Sequence, residues 1–157
     1  MDIIGPFVPP SSAGYRYILT AMDYFSKWAE AVALKDIKST VVSEFIRTHI
    51  IYRFGIPESV IMDNGQWFKS DALNKLFAKY KIKNNHSSRY HALANGLAEA
   101  FNKTLCKILK KRTWHEKLQE ALWAYRPSHR TPTQVTPYSL DFGGEAVLPL
   151  EVQIPSL

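Results

Sequence analysis

The sequence predicts an α/β fold with a mixed β-sheet, because short apolar runs of β-forming residues alternate with longer stretches of helical periodicity. The chain has 157 residues, which suits one domain with one core. Hydrophobic residues make up 46% of the chain and charged residues 22%. This balance is typical of globular proteins and argues against disorder as the dominant state.

Three strands are expected in the N-terminal part of the chain. Residues 3–8 form a short apolar run, and residues 15–25 are rich in aromatic and β-branched side chains. Residues 28–34 alternate enough in polarity to be the hairpin partner of the second run. A β-meander is therefore predicted before the first helix.

The first helix is predicted from the spacing of apolar residues between positions 41 and 54. Ser39 and Thr40 precede it and offer an N-cap. Gly55, followed by Ile56 and Pro57, should end it.

The remaining elements alternate between strand and helix. They are a strand at 59–62, a helix from Ser70 to Tyr80, an edge strand at 81–88, and helices at 95–112 and 114–126. From Pro127 onward Pro and Thr are frequent, which predicts an irregular tail. Residues 1–126 are therefore assigned to a core domain and residues 127–157 to a C-terminal extension.

Charge and cysteine content restrict the classes of partner and compartment. The net charge is +6 and the pI about 9.4, which favours polyanionic partners, nucleic acid first. Cys106 is the single cysteine, so an intrachain disulfide and a cysteine-rich zinc site are excluded. No apolar run approaches the roughly 18 residues of a membrane span. A soluble, intracellular protein without a secretory leader or membrane partner is expected.

Three acidic residues are candidates for chemistry. Asp63 follows a predicted strand, where ligands gather in α/β sheets, although Asp-Asn-Gly is also a common turn sequence. Glu99 lies within the predicted helix at 95–112, and it could equally be a solvated surface carboxylate. Asp2 stands at the start of the first strand, where a frayed terminal residue is the alternative. Phosphodiester transfer can use two Mg²⁺ ions held by carboxylates, so three converging acids would suffice.

The residue pattern of the predicted helix that contains Glu99 indicates two different faces. At about 100° per residue, one face consists of apolar residues, Leu97, Phe101, Leu105 and Ile108, and should be core. The opposite face carries Glu99 followed by Lys103, Lys107 and Lys110. This face is either a salt-bridged surface or a catalytic acid beside lysines that grip phosphates.

The order and spacing of short motifs resemble the catalytic core of retroviral and retrotransposon integrases. Thirty-five residues separate Asp63 from Glu99, as in the D,D-35-E pattern of that family. Further matching motifs are Asp23-Tyr24-Phe25-Ser26-Lys27-Trp28, Arg53-Phe54-Gly55-Ile56-Pro57, Asn95-Gly96-Leu97-Ala98-Glu99 and the tail from Arg130 to Pro149. The tail resembles the gypsy class of LTR retrotransposons, particularly those of plants.

The resemblance implies an RNase H-like fold with a five-stranded mixed sheet flanked by helices. It implies that Asp2, Asp63 and Glu99 are catalytic and hold two Mg²⁺ or Mn²⁺ ions. The implied reactions are trimming of 3′ ends and transfer of those ends into target DNA, in the nucleus, by a homo-oligomer.

The family also implies the residues that would contact DNA or shape the site. They are Lys103, Lys107, Lys110, Asn64, His91 and Asn95. Asp23 is a rival acid, but the motif places it in the hairpin.

The sequence departs from the family pattern where Ala92-Leu93 follow His91 and where the connector around Arg112 is short. Asp2 also stands at the very start. Such departures are typical of a decayed or truncated element copy. Two alternatives therefore accompany an active integrase: an inactive nucleic-acid-binding remnant, and another RNase H-like nuclease or transposase.

Overall fold

The fold is given by a computed structural model that describes residues 1–63, 65–86, 100–107, 112–130 and 133–146. Within these residues, no helix is both long and apolar enough to cross a membrane. Strands and helices alternate along the described chain, which confirms the predicted α/β class.

The N-terminal region forms a three-stranded antiparallel sheet. Its strands are β1 (Asp2–Ile4), β2 (Tyr17–Met22) and β3 (Ala29–Leu34) in the order β1-β2-β3. Asp2 lies opposite Thr20, and Met22 lies opposite Ala29. The predicted meander is thus confirmed, although the first strand is shorter than the apolar run suggested.

A second sheet is formed by β4 (Ser59–Met62) and β5 (Lys83–His86), which run parallel. The five strands found among the described residues therefore pair as three plus two, whereas the family resemblance implied one five-stranded sheet. The Met1 nitrogen donates to the Ile61 carbonyl oxygen at 2.7 Å, which places β1 beside β4. This single hydrogen bond does not form a continuous β-ladder between β1 and β4.

The backbone hydrogen bonds show which strand edges of the two sheets face each other. Lys83 N–H donates to the Glu58 carbonyl and Asp23 N–H donates to the Trp28 carbonyl. Since successive residues in a strand direct their polar groups to opposite edges, Ser59 and Ile61 point towards β1. On β2, the backbone groups of Met22 point towards the edge that β1 occupies, and no described residue of β1 pairs with Met22 there.

The first helical region begins at α1 (Ser39–Phe45), continues as a π-helix (Ile46–Ile51) and ends with one turn, α2 (Tyr52–Phe54). The predicted N-cap at Ser39 or Thr40 is wrong, because Lys38 is the N-cap residue and contributes no side-chain hydrogen bond. Gly55 follows α2 with a φ of 90°, so the predicted end is confirmed.

The later helices are α3 (Asp71–Tyr80), α4 (residues 100–107), α5 (Trp114–Tyr125) and α6 (Pro137–Phe142). Ser70 caps α3 by accepting from Leu73 N–H, so the helix predicted from Ser70 to Tyr80 begins one residue later, at Asp71. The tail is not irregular throughout, because Thr136 accepts from Ser139 N–H and starts α6.

Helices cover both faces of the antiparallel sheet. Alternate strand residues such as Leu19 face a hydrophobic cluster that includes α1, the π-helix and α3. Their neighbours, such as Ile18, face a second cluster that includes α4 and α5. Phe101 and Leu105 are buried in the second cluster, as the helical periodicity predicted. Hence α3 and α4 lie in opposite layers.

Candidate active site

Asp2 and Asp63, two of the three predicted acids, line one cavity of about 690 Å³. Asp2 opens β1 and Asp63 follows β4 directly, so the proximity of β1 and β4 brings them to the same place. The cavity extends between the end of β2 and β4, where its lining includes Met22 and Ile61. Asp2 and Asp63 therefore both line this cavity, as expected for residues on neighbouring strands.

The carboxylate of Asp2 is held by two hydrogen bonds. Its Oδ1 accepts from Ile3 N–H at 2.7 Å, and its Oδ2 accepts from the Asn102 side-chain amide at 2.5 Å. Each carboxylate oxygen can accept more than one bond, so both retain room for a further partner.

Asn102 and Thr20 are site residues that the sequence analysis missed. The Thr20 hydroxyl lies 3.2 Å from the Asp2 carbonyl oxygen and 3.3 Å from the Asn102 side-chain oxygen. Thr20 is buried, whereas Asn102 on α4 is partly exposed. The spacing of Asn102, three residues after Glu99, could have indicated it, since residues one turn apart share a helix face.

The described acids are of the type that binds a hard divalent cation, but they are too few to form a complete metal site. Carboxylate oxygens are the ligands that Mg²⁺ prefers, and Asp2 and Asp63 supply them to one cavity. Among the residues that the structure describes, no group of three Asp, Glu, His or Cys could hold a metal ion. Glu99, the third predicted ligand, lies outside the described residues.

The predicted DNA-contacting residues are only partly described. Lys103 and Lys107 are exposed on α4, as the helical periodicity predicted. The remaining residues fall outside the described part of the chain: Asn64, His91, Asn95 and Lys110.

Asp23, the rival acid, serves the β2–β3 turn. Its Oδ1 accepts from Phe25 N–H at 3.0 Å, from Ser26 N–H at 2.7 Å and from the Ser26 hydroxyl at 2.9 Å. This arrangement is an Asx turn, in which the carboxylate replaces a backbone acceptor. Asp23 also lines the cavity, but its role in the turn explains its position without a metal.

An ionic network is centred on Glu30, a buried residue that lines the cavity. Glu30 accepts from Trp28 Nε1 at 2.8 Å, from Arg53 at 2.7 Å and from Arg126 at 2.9 Å. Burial lowers the pKa of the Arg126 guanidinium, while the neighbouring Glu30 carboxylate opposes this shift. Burial also raises the pKa of Asp141, and repulsion from Asp23 adds to the effect. The network fastens elements around the cavity.

Comparison with known families identifies the domain type. The sequence model of the family described as "Integrase core domain" matches residues 1–92. The chain is 32% identical over 146 residues to the Pol polyprotein of Feline endogenous virus ECE1, covering 87% of this chain and 14% of that protein. It is 26% identical over 155 residues to a retrovirus-related Pol polyprotein from transposon 412 of Drosophila melanogaster, covering 95% and 12% respectively. The chain thus spans a small part of these relatives.

A solved structure supports the fold. A chain in the cryo-EM structure of the simian T-cell lymphotropic virus intasome superposes with a TM-score of 0.70 at 23% identity. The match covers 90% of this chain and 51% of that chain. At this level of identity the similarity shows that the two chains share a fold, and no more.

Proposed function

Because this chain belongs to the integrase core domain family, we propose that it is a polynucleotidyl transferase that processes DNA 3′ ends and joins them to target DNA. The proposed source is a gypsy-class LTR retrotransposon, on the motifs from Arg130 to Pro149. The proposed site of action is the nucleus, and the proposed working form is a homo-oligomer.

The observation that carries the proposal is the convergence of distant residues on Asp2. Asp63 lines the same cavity as Asp2, and Asn102 donates to the Asp2 carboxylate. Glu99 precedes Asn102 by three residues, the spacing of one helical turn. We therefore assign Glu99 as the third catalytic carboxylate.

The roles of the acids follow from the chemistry of phosphodiester transfer. Asp2, Asp63 and Glu99 would together hold two Mg²⁺ or Mn²⁺ ions. When bound, such a pair activates the attacking oxygen and neutralises the leaving oxygen. Asn102 and Ile3 N–H orient the Asp2 carboxylate, so that its oxygens enter the site in one fixed direction.

DNA is the proposed partner, and its contacts are assigned by charge and position. Lys103 and Lys107 are exposed on the helix that carries Asn102, so they would pair with phosphates beside the reacting end. The same role is proposed for Lys110. Asn64, His91 and Asn95 are proposed to shape the DNA-binding loop.

The deciding experiment measures joining of a labelled oligonucleotide end to duplex DNA in Mg²⁺ or Mn²⁺. We expect metal-dependent joining that Glu99→Gln abolishes, since a ligand charge is lost while the side-chain size is kept. Glu116→Gln is the matched control, because Glu116 is an exposed carboxylate on α5. Joining that persists in Glu99→Gln would reject the assigned acid.

The second candidate function is a DNA-binding module that no longer turns over. It is favoured by the limited contact between β1 and β4, because catalytic ligands must be placed within about 0.5 Å. If the chain binds DNA in a salt-sensitive way but does not join it, the chain is such a DNA-binding module. Absence of both would reject the two proposals together.

A further inference from the structure

A second basic surface lies on α3, apart from the cavity and from α4. Residues 69–83 contain five lysines and one acid, Asp71, while the whole chain has a net charge of only +6. All five lysines are exposed. Lys83 forms an ion pair with Glu58 at 2.8 Å. The other four are named the α3 lysine surface: Lys69, Lys75, Lys79 and Lys81.

The α3 lysine surface places four exposed cations within residues 69–81, where Asp71 is the one acid. Some cations elsewhere are paired with neighbouring acids, as in the pairs of Arg53 and Arg126 with Glu30 and of Lys117 with Glu120. Among the described residues, the four lysines of the α3 surface form no ion pair. Uncompensated positive charge favours a polyanionic ligand.

The spacing of these lysines suits the phosphates of a duplex. Lys75 and Lys79 are four residues apart on α3, which puts their Cβ atoms about 6 Å apart on one face. Phosphates along one DNA strand rise by about 3.4 Å each, within reach of two long side chains at that separation. Lys79 Nζ also lies 5.3 Å from the centroid of the Tyr80 ring, which supports the side chain without neutralising it.

The position of α3 separates this surface from the lysines of α4. Leu73 and Phe77 of α3 pack in the cluster on one face of the antiparallel sheet, and Phe101 and Leu105 of α4 pack on the other. The outward lysines of the two helices therefore point away from opposite layers. Lys75 and Lys103 therefore lie on opposite sides of the antiparallel sheet.

We infer that the α3 lysine surface binds the phosphate backbone of a second duplex DNA segment. This inference deepens the proposed function, because joining requires the protein to hold two DNA molecules. The contact is independent of sequence and of metal, since it rests on ammonium groups and phosphates alone.

The test compares two variants with the same change in charge. Lys75→Gln with Lys79→Gln removes the centre of the surface, and Lys35→Gln with Lys117→Gln removes two exposed cations elsewhere. Fluorescence anisotropy of a 30-base-pair duplex in EDTA reports affinity across a salt series. We expect the α3 double variant to weaken affinity on the order of tenfold at low salt and to lower the salt slope by about 1.8. The control should leave the slope nearly unchanged.

Several outcomes would overturn the inference. Equal weakening by both double variants would mean that only net charge matters. Preferential, α3-dependent binding of single-stranded RNA would replace duplex DNA as the ligand. A change of oligomeric state with unaltered DNA affinity would make this surface a protein interface. Because EDTA removes catalysis, failure here leaves the joining reaction of the proposed function untouched.

Discussion

Asn102 controls the orientation of the Asp2 carboxylate through one short hydrogen bond. We expect Asn102→Ala to slow metal-dependent joining by about 10- to 100-fold, because Oδ2 loses its amide donor. The Mg²⁺ concentration for half-maximal joining should rise at the same time. Joining rates measured over a Mg²⁺ titration would check both effects.

Thr104→Ala is the matched control for that change. Thr104 is exposed on the same helix, and its hydroxyl donates to the Ala100 carbonyl at 2.9 Å, away from Asp2. The control should keep the wild-type rate and Mg²⁺ requirement. If Asn102→Ala kept them as well, the contact to Asp2 would have no role in catalysis.

Periodicity predicts which face of a helix is buried, but not which distant residue a polar side chain will meet. The buried positions of Phe101 and Leu105 and the exposed position of Lys103 follow from the rotation of about 100° per residue. The bond from Asn102 to Asp2 joins residues 100 positions apart. Only the tertiary fold decides such a contact.

Glu30 fastens three elements at the cavity wall, since it lies on β3 and binds Arg53 of α2 and Arg126 after α5. We expect Glu30→Gln to lower the free energy of unfolding by about 2–3 kcal/mol, because two guanidinium groups lose their buried counter-charge. The share of Arg53 is the smaller one, since its side chain is 43% exposed. Urea denaturation would measure the change.

Glu44→Gln provides the comparison for Glu30→Gln. Glu44 pairs with Arg47 on the surface, where solvent screens the interaction, so the loss should stay below about 1 kcal/mol. Equal destabilisation by both variants would show that burial adds nothing to the Glu30 network.

Local sequence determined the ends of some elements better than others. Ser70 caps α3 because its hydroxyl reaches Leu73 N–H, as its sequence position suggests. Ser39 fails as a cap because the helix begins at Ser39 itself, so the N-cap position falls on Lys38. The tail was predicted irregular because of its prolines, yet Pro137 stands at the first helical position, where proline is tolerated.

The division of the strands into two sheets is a property of the whole molecule. The fold class was predictable, because periodicity is local. The pairing of the strands into two sheets was not predictable from local periodicity. It depends on how many residues of β1 lie between β2 and β4. Ser59, Ile61 and Met22 all direct backbone groups into the interval between the sheets.

An N-terminal elongation of the chain tests this geometry. We expect Thr-Val-Thr added before Met1 to continue β1, with the valine backbone bonded to the Ser59 carbonyl and the Ile61 N–H. Amide exchange of Ile61 should then slow by at least an order of magnitude. The melting temperature should rise by about 3 °C per kcal/mol gained.

Thr-Pro-Thr is the control, since proline has no N–H to donate to Ser59 and is rarely accepted inside a sheet. NMR hydrogen exchange and thermal denaturation of the two elongated chains would show the difference. Identical protection of Ile61 in both would mean that the interval does not accept a strand.

The interval between β2 and β4 also bears on inhibitor discovery. Compounds selected against the chain as it stands could settle among Met22, Ile61 and their neighbours, since these residues line the cavity. An added strand would fill this part of the cavity, so that such compounds could no longer bind there. Screening hits should therefore be re-examined on an elongated chain, where only compounds that contact the carboxylates of Asp2 and Asp63 from outside would keep their affinity.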